Sequence, residues 1–324
     1  MLEAAIPFAR RRLTVMLASP RGFCAGVVRA IDTVEAMLAQ YGPPIYVHHE
    51  IVHNPHVVED LEQRGVIFIS QVEEVPRGAH LVISAHGAAA WVFDGARGRN
   101  LHVVDGTCPL VTKVHNEVVR QSDRHGRHIL LIGHRGHAET IGTLGQISGA
   151  STIIETRDDA LAFQPEPNIS YACAMQTTLS VRDTAAILDV LRAKIPHLAE
   201  PAHSDICYAT TNRQQAVAAI APRCDAFVIV GGANSSNSRR LVDIAQQSGC
   251  ERTMFVSRGG HIDPMDFEGI RTLGISSGAS TPEPLVEELC ESLSHHFELI
   301  IEEITVATET QHYKLPPIAL PRSA

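Results

Sequence analysis

The stretch Leu13-Thr-Val-Met-Leu-Ala-Ser-Pro-Arg-Gly-Phe-Cys24-Ala-Gly-Val27 joins an apolar run to a polar turn and to the start of a helix. The short apolar run predicts a buried strand, and the spacing of apolar residues over 26–40 predicts an amphipathic helix. Strand-to-helix units that repeat along a chain are typical of α/β proteins with largely parallel sheets. The stretch therefore predicts the fold class α/β.

The same alternation continues through the 324 residues. Further strands are predicted over 45–47, 66–69, 81–84, 102–104, 128–132, 152–154, 170–173, 226–230, 252–256, 271–275 and 298–304. Further helices are predicted over 109–124, 181–194, 211–220, 238–247 and 283–295. The expected division is an N-terminal tail (1–12), three small α/β domains (13–107, 108–206 and 207–306) and a C-terminal tail (307–324).

Two later stretches repeat the cysteine at a strand-to-helix turn, in Asp105-Gly-Thr-Cys108-Pro and Asp205-Ile-Cys207-Tyr. The free N–H groups and the dipole at a helix start favour thiolate, so we expect lowered thiol pKa values at these positions. One such cysteine in each third of the chain indicates a shared metal centre with an open fourth position. The remaining cysteines are expected to be small core residues, namely Cys173, Cys224, Cys250 and Cys290.

The loop Gly231-Gly-Ala-Asn-Ser-Ser-Asn-Ser238 leads from a predicted strand into a predicted helix. Its hydroxyl, amide and backbone N–H groups are suited to bind a phosphate, and the alternative is an ordinary N-cap loop. Ser276-Ser-Gly-Ala-Ser280 is a weaker example of the same pattern. Neither GxGxxG nor GxxxxGK[ST] occurs, which disfavours bound NAD(P) and a P-loop nucleotide.

Three of the 18 histidines, His53, His86 and His137, lie in predicted loops beside strand ends. Glu139 follows His137, and a carboxylate near an imidazole can form an acid–base relay. Glu139 could equally be a first-turn helix glutamate that only favours the helix dipole. Likewise, Gln176-Thr-Thr-Leu-Ser180 could be a plain N-cap.

Composition excludes several classes of function. The net charge of −9 and the lack of a basic stripe disfavour nucleic-acid binding. No apolar run reaches the roughly 18 residues that a membrane span needs. The apolar residues 1–8 are too few for a signal peptide, and an odd cysteine count without a signal disfavours disulfides. We therefore expect a cytoplasmic protein with neither a nucleic-acid nor a membrane partner.

Eight motifs, in order from about residue 13 to 306, together resemble the IspH/LytB family. They are Arg21-Gly-Phe-Cys-Ala-Gly-Val, Glu50-Ile-Val-His-Asn, Ser84-Ala-His-Gly, Thr107-Cys-Pro-Leu-Val-Thr-Lys-Val-His, Gly133-His-x-Gly-His-x-Glu, Gln176-Thr-Thr-Leu-Ser, Ile206-Cys-Tyr-Ala-Thr-Thr-Asn-Arg-Gln and Asn234-Ser-Ser-Asn-Ser. Members of this family are 4-hydroxy-3-methylbut-2-enyl diphosphate (HMBPP) reductases, the last enzymes of the non-mevalonate (MEP) isoprenoid pathway. Family members have three α/β domains around a central iron–sulfur cluster, in a pseudo-threefold arrangement.

The resemblance implies a role for each matching residue. Cys24, Cys108 and Cys207 are expected to hold a 4Fe–4S cluster whose fourth iron is open to substrate. Glu139 is expected to deliver protons, and Thr177 to orient the substrate hydroxyl. The expected substrate-binding residues are His53, His86, His137, Thr177, Thr178, Ser235, Ser236, Asn237 and Ser280. Small departures from the family pattern fall at Gly106, Ala138 and Ser277, and the missing proline at Ala138 could loosen the turn that carries Glu139.

The expected reaction is therefore a two-electron reductive dehydroxylation of HMBPP to isopentenyl and dimethylallyl diphosphates. Without tightly bound NAD(P) or flavin, the electrons are expected from a separate carrier, ferredoxin or flavodoxin with its reductase. Two alternatives stay open at this point. One is a zinc hydrolase with a three-cysteine site and a bound water. The other is a non-enzymatic iron–sulfur sensor, although no basic helix for DNA binding is visible.

Overall fold

The computed structural model describes residues 10–258 and 263–318. These residues form two compact units. The first unit comprises the described residues of Met1–Phe23 and Asn212–Glu309. The second unit comprises Cys24–Thr211 and the described residues of Thr310–Ala324.

Twelve strands and ten α-helices are present in the described residues. The strands are β1 (Arg11–Ser19), β2 (Ile45–His48), β3 (Val66–Ile69), β4 (His80–Ile83), β5 (His102–Asp105), β6 (His128–Ile132), β7 (Ser151–Ile154), β8 (Tyr171–Met175), β9 (Ala226–Val230), β10 (Thr253–Val256), β11 (Thr272–Ser277) and β12 (Phe297–Thr305). The helices are α1 (Ala25–Tyr41), α2 (Pro55–Gln63), α3 (Ala90–Gly98), α4 (Pro109–Val119), α5 (Ala138–Leu144), α6 (Arg157–Ala162), α7 (Val181–Lys194), α8 (Tyr208–Ile220), α9 (Ser236–Gln247) and α10 (Pro284–Ser294). A π-helical turn, Arg120–Arg124, extends α4.

The first unit is built on a five-stranded sheet in the order β10-β9-β11-β1-β12, in which every pairing is parallel. Alternate residues of β1 point to opposite faces, as the strand geometry requires. Leu13 and Val15 pack in a core with residues of α10, whereas Met16 packs in a second core with residues of α8 and α9. The sheet is therefore covered by helices on both faces, as expected for a parallel sheet.

Strand β1 has partners that the sequence did not indicate. The predicted domain 13–107 groups this strand with β2 to β5, but it pairs with β11 and β12 of the last third. Val15, for example, lies opposite Leu273 on one side and Ile301 on the other. Periodicity identifies a strand but carries no information about its neighbours in the sheet. The three predicted domain boundaries themselves stay a prediction.

The second unit contains two smaller parallel sheets, in the orders β3-β2-β4-β5 and β7-β6-β8. The core of the four-stranded sheet includes Leu81 and Ile83 of β4 with Val92 of α3. In the three-stranded sheet, Ile129 and Leu131 of β6 pack on α4. These parallel sheets with their helices confirm the predicted α/β class. No described helix is both long and apolar enough to cross a membrane.

Four short helices were not predicted, namely α2, α3, α5 and α6. Helix α3 shows the reason, because Gly95 and Gly98 each cost about 1 kcal/mol relative to alanine. Its buried residues Val92 and Ala96 pack against the four-stranded sheet. Tertiary packing therefore forms this helix where local propensity disfavours it.

Candidate active site

The three candidate cluster ligands each precede the first residue of a helix and belong to the same unit. Cys24 is the N-cap of α1, Cys108 is the N-cap of α4, and Cys207 directly precedes α8. Burial raises the pKa of Cys108, and the charges of Cys24 and Cys207 add to that increase, as expected for thiols that lie near one another. The structure therefore brings together three thiols that are far apart in the sequence.

The thiol pKa values correct one prediction. Burial raises the pKa of Cys108 to about 12 and that of Cys207 to about 11. The N–H groups of α4 do lower the Cys108 pKa, through Leu110 and Val111, but desolvation outweighs them. The prediction of lowered thiol pKa values was therefore wrong for these two residues. A thiol that coordinates a metal is deprotonated outright, so a bound iron would reverse this balance.

Glycine at position 26 leaves open space beside two of the three sulfurs. A Cβ atom on Gly26 would lie 2.6 Å from Cys108 Sγ and 3.8 Å from Cys24 Sγ, so glycine leaves room beside both sulfurs. In the described part of the chain, no group of three or more His, Cys, Asp or Glu side chains is arranged to hold one metal ion. A zinc site requires thiolates that converge on one ion, whereas the cysteines of a 4Fe–4S cluster bind different irons.

Gly26→Ala tests this space directly. Alanine favours a helix by about 1 kcal/mol over glycine, so α1 itself tolerates the change. The new methyl group would nevertheless overlap Cys108 Sγ. We expect at least about a threefold loss of bound iron after anaerobic reconstitution, because overpacking displaces the sulfur. Gly98→Ala is the matched control, since a Cβ there meets no atom within 4 Å. Equal iron content in both variants would contradict the assignment of this space to the cluster.

Glu139 is a buried carboxyl group, only 2% exposed, in the first turn of α5. The backbone N–H of Thr177 donates to its Oε1 over 2.6 Å, and the Thr177 hydroxyl donates to its Oε2 over 3.0 Å. The Thr177 carbonyl in turn accepts a hydrogen bond of 3.1 Å from the backbone N–H of Cys207. One residue thus connects the buried carboxyl group to a candidate cluster ligand.

Burial raises the pKa of Glu139 to about 7, and the charge of Asp205 adds to the increase. The two hydrogen bonds from Thr177 act in the opposite direction. A carboxyl group with this pKa holds a proton for part of the time near neutral pH and can also release it, as a general acid requires. A glutamate that only favoured the helix dipole would need no such burial.

The three predicted histidines lie in mutual contact. The ring centroids of His53 and His86 are 4.0 Å apart, and His137 lies 5.1 Å from His53 and 5.8 Å from His86. Burial lowers the pKa of His137 to about 3, assisted by the charges of His53 and His134, and lowers that of His86 well below its usual range. His86 and His137 are therefore neutral at physiological pH.

The hydrogen bond at the start of α5 fixes the tautomer of His137. Its Nδ1 accepts from the backbone N–H of Glu139 over 3.1 Å. In the neutral ring the proton must then be on Nε2, which is buried and has no hydrogen-bond partner among the described residues. A buried N–H without a partner costs free energy, so this donor is suited to an anion that arrives with the substrate.

The predicted phosphate loop, in the first unit, combines a cap with unsatisfied polar groups. Ser235 is the N-cap of α9 and accepts from the Ser238 N–H over 3.2 Å, as the capping alternative expects. Asn237, however, is buried with neither amide atom bonded to any described residue. The buried Ser276 and Ser277 hydroxyls of β11 likewise have no hydrogen-bond partner among the described residues. Capping alone does not explain these buried polar groups.

The remaining predicted residues lie in the polar stretches 231–238, 276–280 and 176–180. Ser236 is the first residue of α9, and Ser280 is buried three residues after β11 ends. Thr178 accepts a hydrogen bond of 2.9 Å from the Gln176 side chain. Ser180 is the N-cap of α7, so the N-cap interpretation of Gln176–Ser180 is confirmed for its last residue.

Two residues near the thiols were missed in the sequence. Asp205 is a buried carboxylate that accepts from the Met175 N–H over 3.1 Å and lies 3.5 Å from Lys113 Nζ. Its place two residues before Cys207 was the available signal. The pKa of Tyr313 is raised to about 12 by burial and by the three cysteines. Tyr313 lies in a segment without periodicity, so no pattern indicated it.

Known proteins similar to this chain agree with the resemblance. The family model described as LytB protein matches residues 15–294. A protein of Rhodopseudomonas palustris named 4-hydroxy-3-methylbut-2-enyl diphosphate reductase 2 is 50% identical, over 98% of this chain and 99% of its own length. A 4-hydroxy-3-methylbut-2-enyl diphosphate reductase of Gluconobacter oxydans is also 50% identical, over 96% of this chain and 94% of its own.

Solved structures extend this similarity to the fold. The E-1-hydroxy-2-methyl-but-2-enyl-4-diphosphate reductase from Plasmodium falciparum matches with a TM-score of 0.88 and 35% identity, over 95% of this chain and 96% of that one. The resemblance identified from eight motifs is thereby confirmed. Because the family model and the relatives at 50% identity span nearly all of its length, this chain belongs to the LytB family.

Proposed function

We propose that this protein is a 4-hydroxy-3-methylbut-2-enyl diphosphate reductase, the last enzyme of the MEP pathway. The substrate takes up two electrons and two protons, loses its hydroxyl group as water, and becomes isopentenyl or dimethylallyl diphosphate. The observation that carries this proposal is the buried Glu139, bonded twice to Thr177, whose carbonyl accepts from Cys207. A proton source beside a candidate metal ligand is what a dehydroxylation requires.

The LytB family uses an iron–sulfur cofactor. The proposed form is a 4Fe–4S cluster held by Cys24, Cys108 and Cys207, with one iron left without a protein ligand. Two observations support these three cysteines as the ligands. The thiols lie near one another, and Gly26 leaves space beside two of them. When bound, such a cluster supplies electrons and a Lewis-acid site for the substrate hydroxyl.

Thr177 and Glu139 act on the substrate hydroxyl in the proposed mechanism. The Thr177 hydroxyl orients the leaving oxygen, and Glu139 gives it a proton so that it departs as water. The shared hydrogen bonds hold both groups in place before substrate arrives, which lowers the cost of reaching the reactive geometry. His137, whose Nδ1 accepts from the Glu139 backbone N–H, links this proton source to the other two histidines, His53 and His86.

His53, His86 and His137 are proposed to bind the diphosphate end of the substrate. The support is the contact among their rings and the buried Nε2–H of His137. Neutral N–H donors can bind an anion without the cost of holding several buried cations together. Thr178 is a further proposed substrate contact. Local donors of this kind also explain how a chain with a net charge of −9 can accept a diphosphate.

The loop at the start of α9 is proposed to bind phosphate oxygens as well, through Ser235, Ser236 and Asn237, with Ser280 from the second polar stretch. Asn237 provides the sharpest test, because its buried amide has no partner among the described residues. A helix N-terminus with such unsatisfied donors is suited to a phosphate.

Asn237→Ala should weaken substrate binding by roughly 10- to 150-fold, the equivalent of one hydrogen bond to a charged group. The same change removes an unsatisfied buried amide, so the unfolding temperature of the substrate-free protein should stay constant or rise. Titration calorimetry and thermal unfolding measure the two effects. Asn116→Ala, on the exposed side of α4, is the control that should leave affinity unchanged. Unchanged affinity in the Asn237 variant would leave capping as the sole role of this loop.

The electrons are proposed to come from a separate protein, ferredoxin or flavodoxin with its reductase, because the sequence carries no dinucleotide fingerprint. No tightly bound NAD(P) or flavin is part of the proposal. The proposed compartment is the cytoplasm, where thiolate-bound iron is protected from oxidation.

The function is tested by anaerobic purification, iron and sulfide analysis, and assay with the substrate and a chemical reductant. We expect four irons and four sulfides per chain, and both product diphosphates. Release of inorganic phosphate without reduction would favour the hydrolase alternative instead. A cluster without any turnover would favour the sensor.

A further inference from the structure

The described segment Thr310–Ile318 makes contacts within the second unit. Thr310–Ile318 contains no helix or strand, yet it belongs to the same compact unit as the three candidate cluster ligands. Pro316 is buried and Tyr313 is half-buried. A solvated tail would bury neither side chain, so the segment packs against the unit.

Arg29 of α1 holds this segment. Its Nε donates to the Lys314 carbonyl over 2.9 Å, and its Nη1 donates to the Thr107 carbonyl over 2.9 Å. Thr107 directly precedes Cys108 in the chain. A rigid guanidinium fork therefore connects the segment to the backbone that carries a candidate cluster ligand.

Side chains of the segment face the same region. Leu315, Pro316 and Pro317 line a cavity of about 800 Å³ together with residues on both sides of Cys108, namely Thr107 and Pro109. Burial raises the pKa of the Tyr313 hydroxyl group, and the charges of Cys108, Cys207 and Cys24 add to the increase, as expected for a ring near the thiols. The cavity and the bonds of Arg29 thus place the segment beside the backbone on both sides of Cys108.

We propose that Thr310–Pro317 is a cover over the three-cysteine site, held by Arg29 and closed by the ring of Tyr313, which slows the loss of a bound cluster to oxidants and chelators. This inference rests on the proposed iron–sulfur function. The apolar shell around a metal site controls solvent access, and solvent exposure in turn sets the reduction potential of an iron–sulfur cluster. A bulky ring and consecutive prolines provide such a shell at small entropic cost.

The main experiment compares Tyr313→Ala and Tyr313→Phe after anaerobic reconstitution to equal iron and sulfide content. In air-saturated buffer, the visible absorbance of the alanine variant should decay at least about fivefold faster than that of the parent protein. Phenylalanine keeps the ring, so its decay should stay within about twofold. The midpoint potential of the alanine variant should rise, because water stabilises the more negative reduced state. Gln311→Ala, an exposed change in the same segment, should alter neither quantity.

Trypsin provides a second readout that needs no loaded cluster. It cleaves after Lys314, whose carbonyl accepts a hydrogen bond from Arg29. Because Arg29→Gln removes this restraint, we expect cleavage at this bond to be at least about fivefold faster. Mass spectrometry of the released peptide measures the rate in the iron-free protein, which separates this inference from the proposed function. Equal cleavage rates, or equal cluster lifetimes in the parent protein and Tyr313→Ala, would overturn the cover. A parent protein that binds no iron would contradict the proposed function instead.

Discussion

Replacing Cys108 with serine should abolish the bound cluster and, with it, catalysis. Cys108 is one of the three thiols that are proposed to hold the cluster, and Gly26 leaves space open beside its sulfur. A serine hydroxyl in this half-buried position is a poor ligand for iron, which prefers thiolate in such clusters. We expect iron content to fall at least about tenfold and turnover at least about a thousandfold, because metal catalysis contributes several kcal/mol. Iron analysis and visible spectra after anaerobic reconstitution measure the loss.

The same result is expected for Cys24→Ser and Cys207→Ser. The controls are Cys250→Ser and Cys290→Ser, because both residues pack in the hydrophobic cores of the five-stranded sheet. These controls should lose some stability, since a hydroxyl group replaces a thiol in an apolar core, but they should keep their iron. A full cluster in any of the first three variants would remove that cysteine from the ligand set.

The sequence predicted most of the secondary structure because hydrophobic periodicity is strong in this chain. The predicted strands 66–69 and 226–230 and the predicted helix 181–194 coincide with β3, β9 and α7. Each is bounded by turn-forming or capping residues, which fix the ends locally. Helix α3 was missed because its stability comes from Val92 and Ala96 in the core, and packing of this kind has no local signature.

The sequence indicated which residues form the candidate site, but it did not indicate their burial, their hydrogen bonds or the direction of their pKa shifts. The motifs indicated Glu139 and His137, but only the structure shows that Glu139 is buried and that His137 Nδ1 accepts its backbone N–H. Burial also reversed the expected direction of the Cys108 pKa. Desolvation depends on every neighbour in space, so it cannot be derived from sequence spacing. Tyr313 was missed because its segment has no periodicity that would indicate a packed side chain.

Glu139→Gln is the second large effect that we expect. Glutamine fits the hydrogen bonds of the site, since its oxygen can accept from the Thr177 N–H and its amide can donate to the Thr177 hydroxyl. Cluster content and substrate affinity should therefore stay close to those of the parent protein. Glutamine cannot release a proton, and turnover should fall at least about a hundredfold, as is typical for loss of a positioned general acid. Steady-state rates with a chemical reductant measure this loss without the docking of an electron carrier.

The pH dependence of turnover distinguishes a proton donor from a structural residue. The pKa of Glu139 is raised to about 7, so the carboxyl group keeps its proton below that pH and loses it above. If the protonated form is the active one, parent turnover should decline as the pH rises through about 7, and the decline should be absent from the residual activity of Glu139→Gln. Glu298→Gln, an exposed change on β12, should keep both the parent rate and the parent profile. Turnover within about threefold of the parent in Glu139→Gln would exclude Glu139 as the proton source and leave His137 or the diphosphate of the substrate as the better candidate.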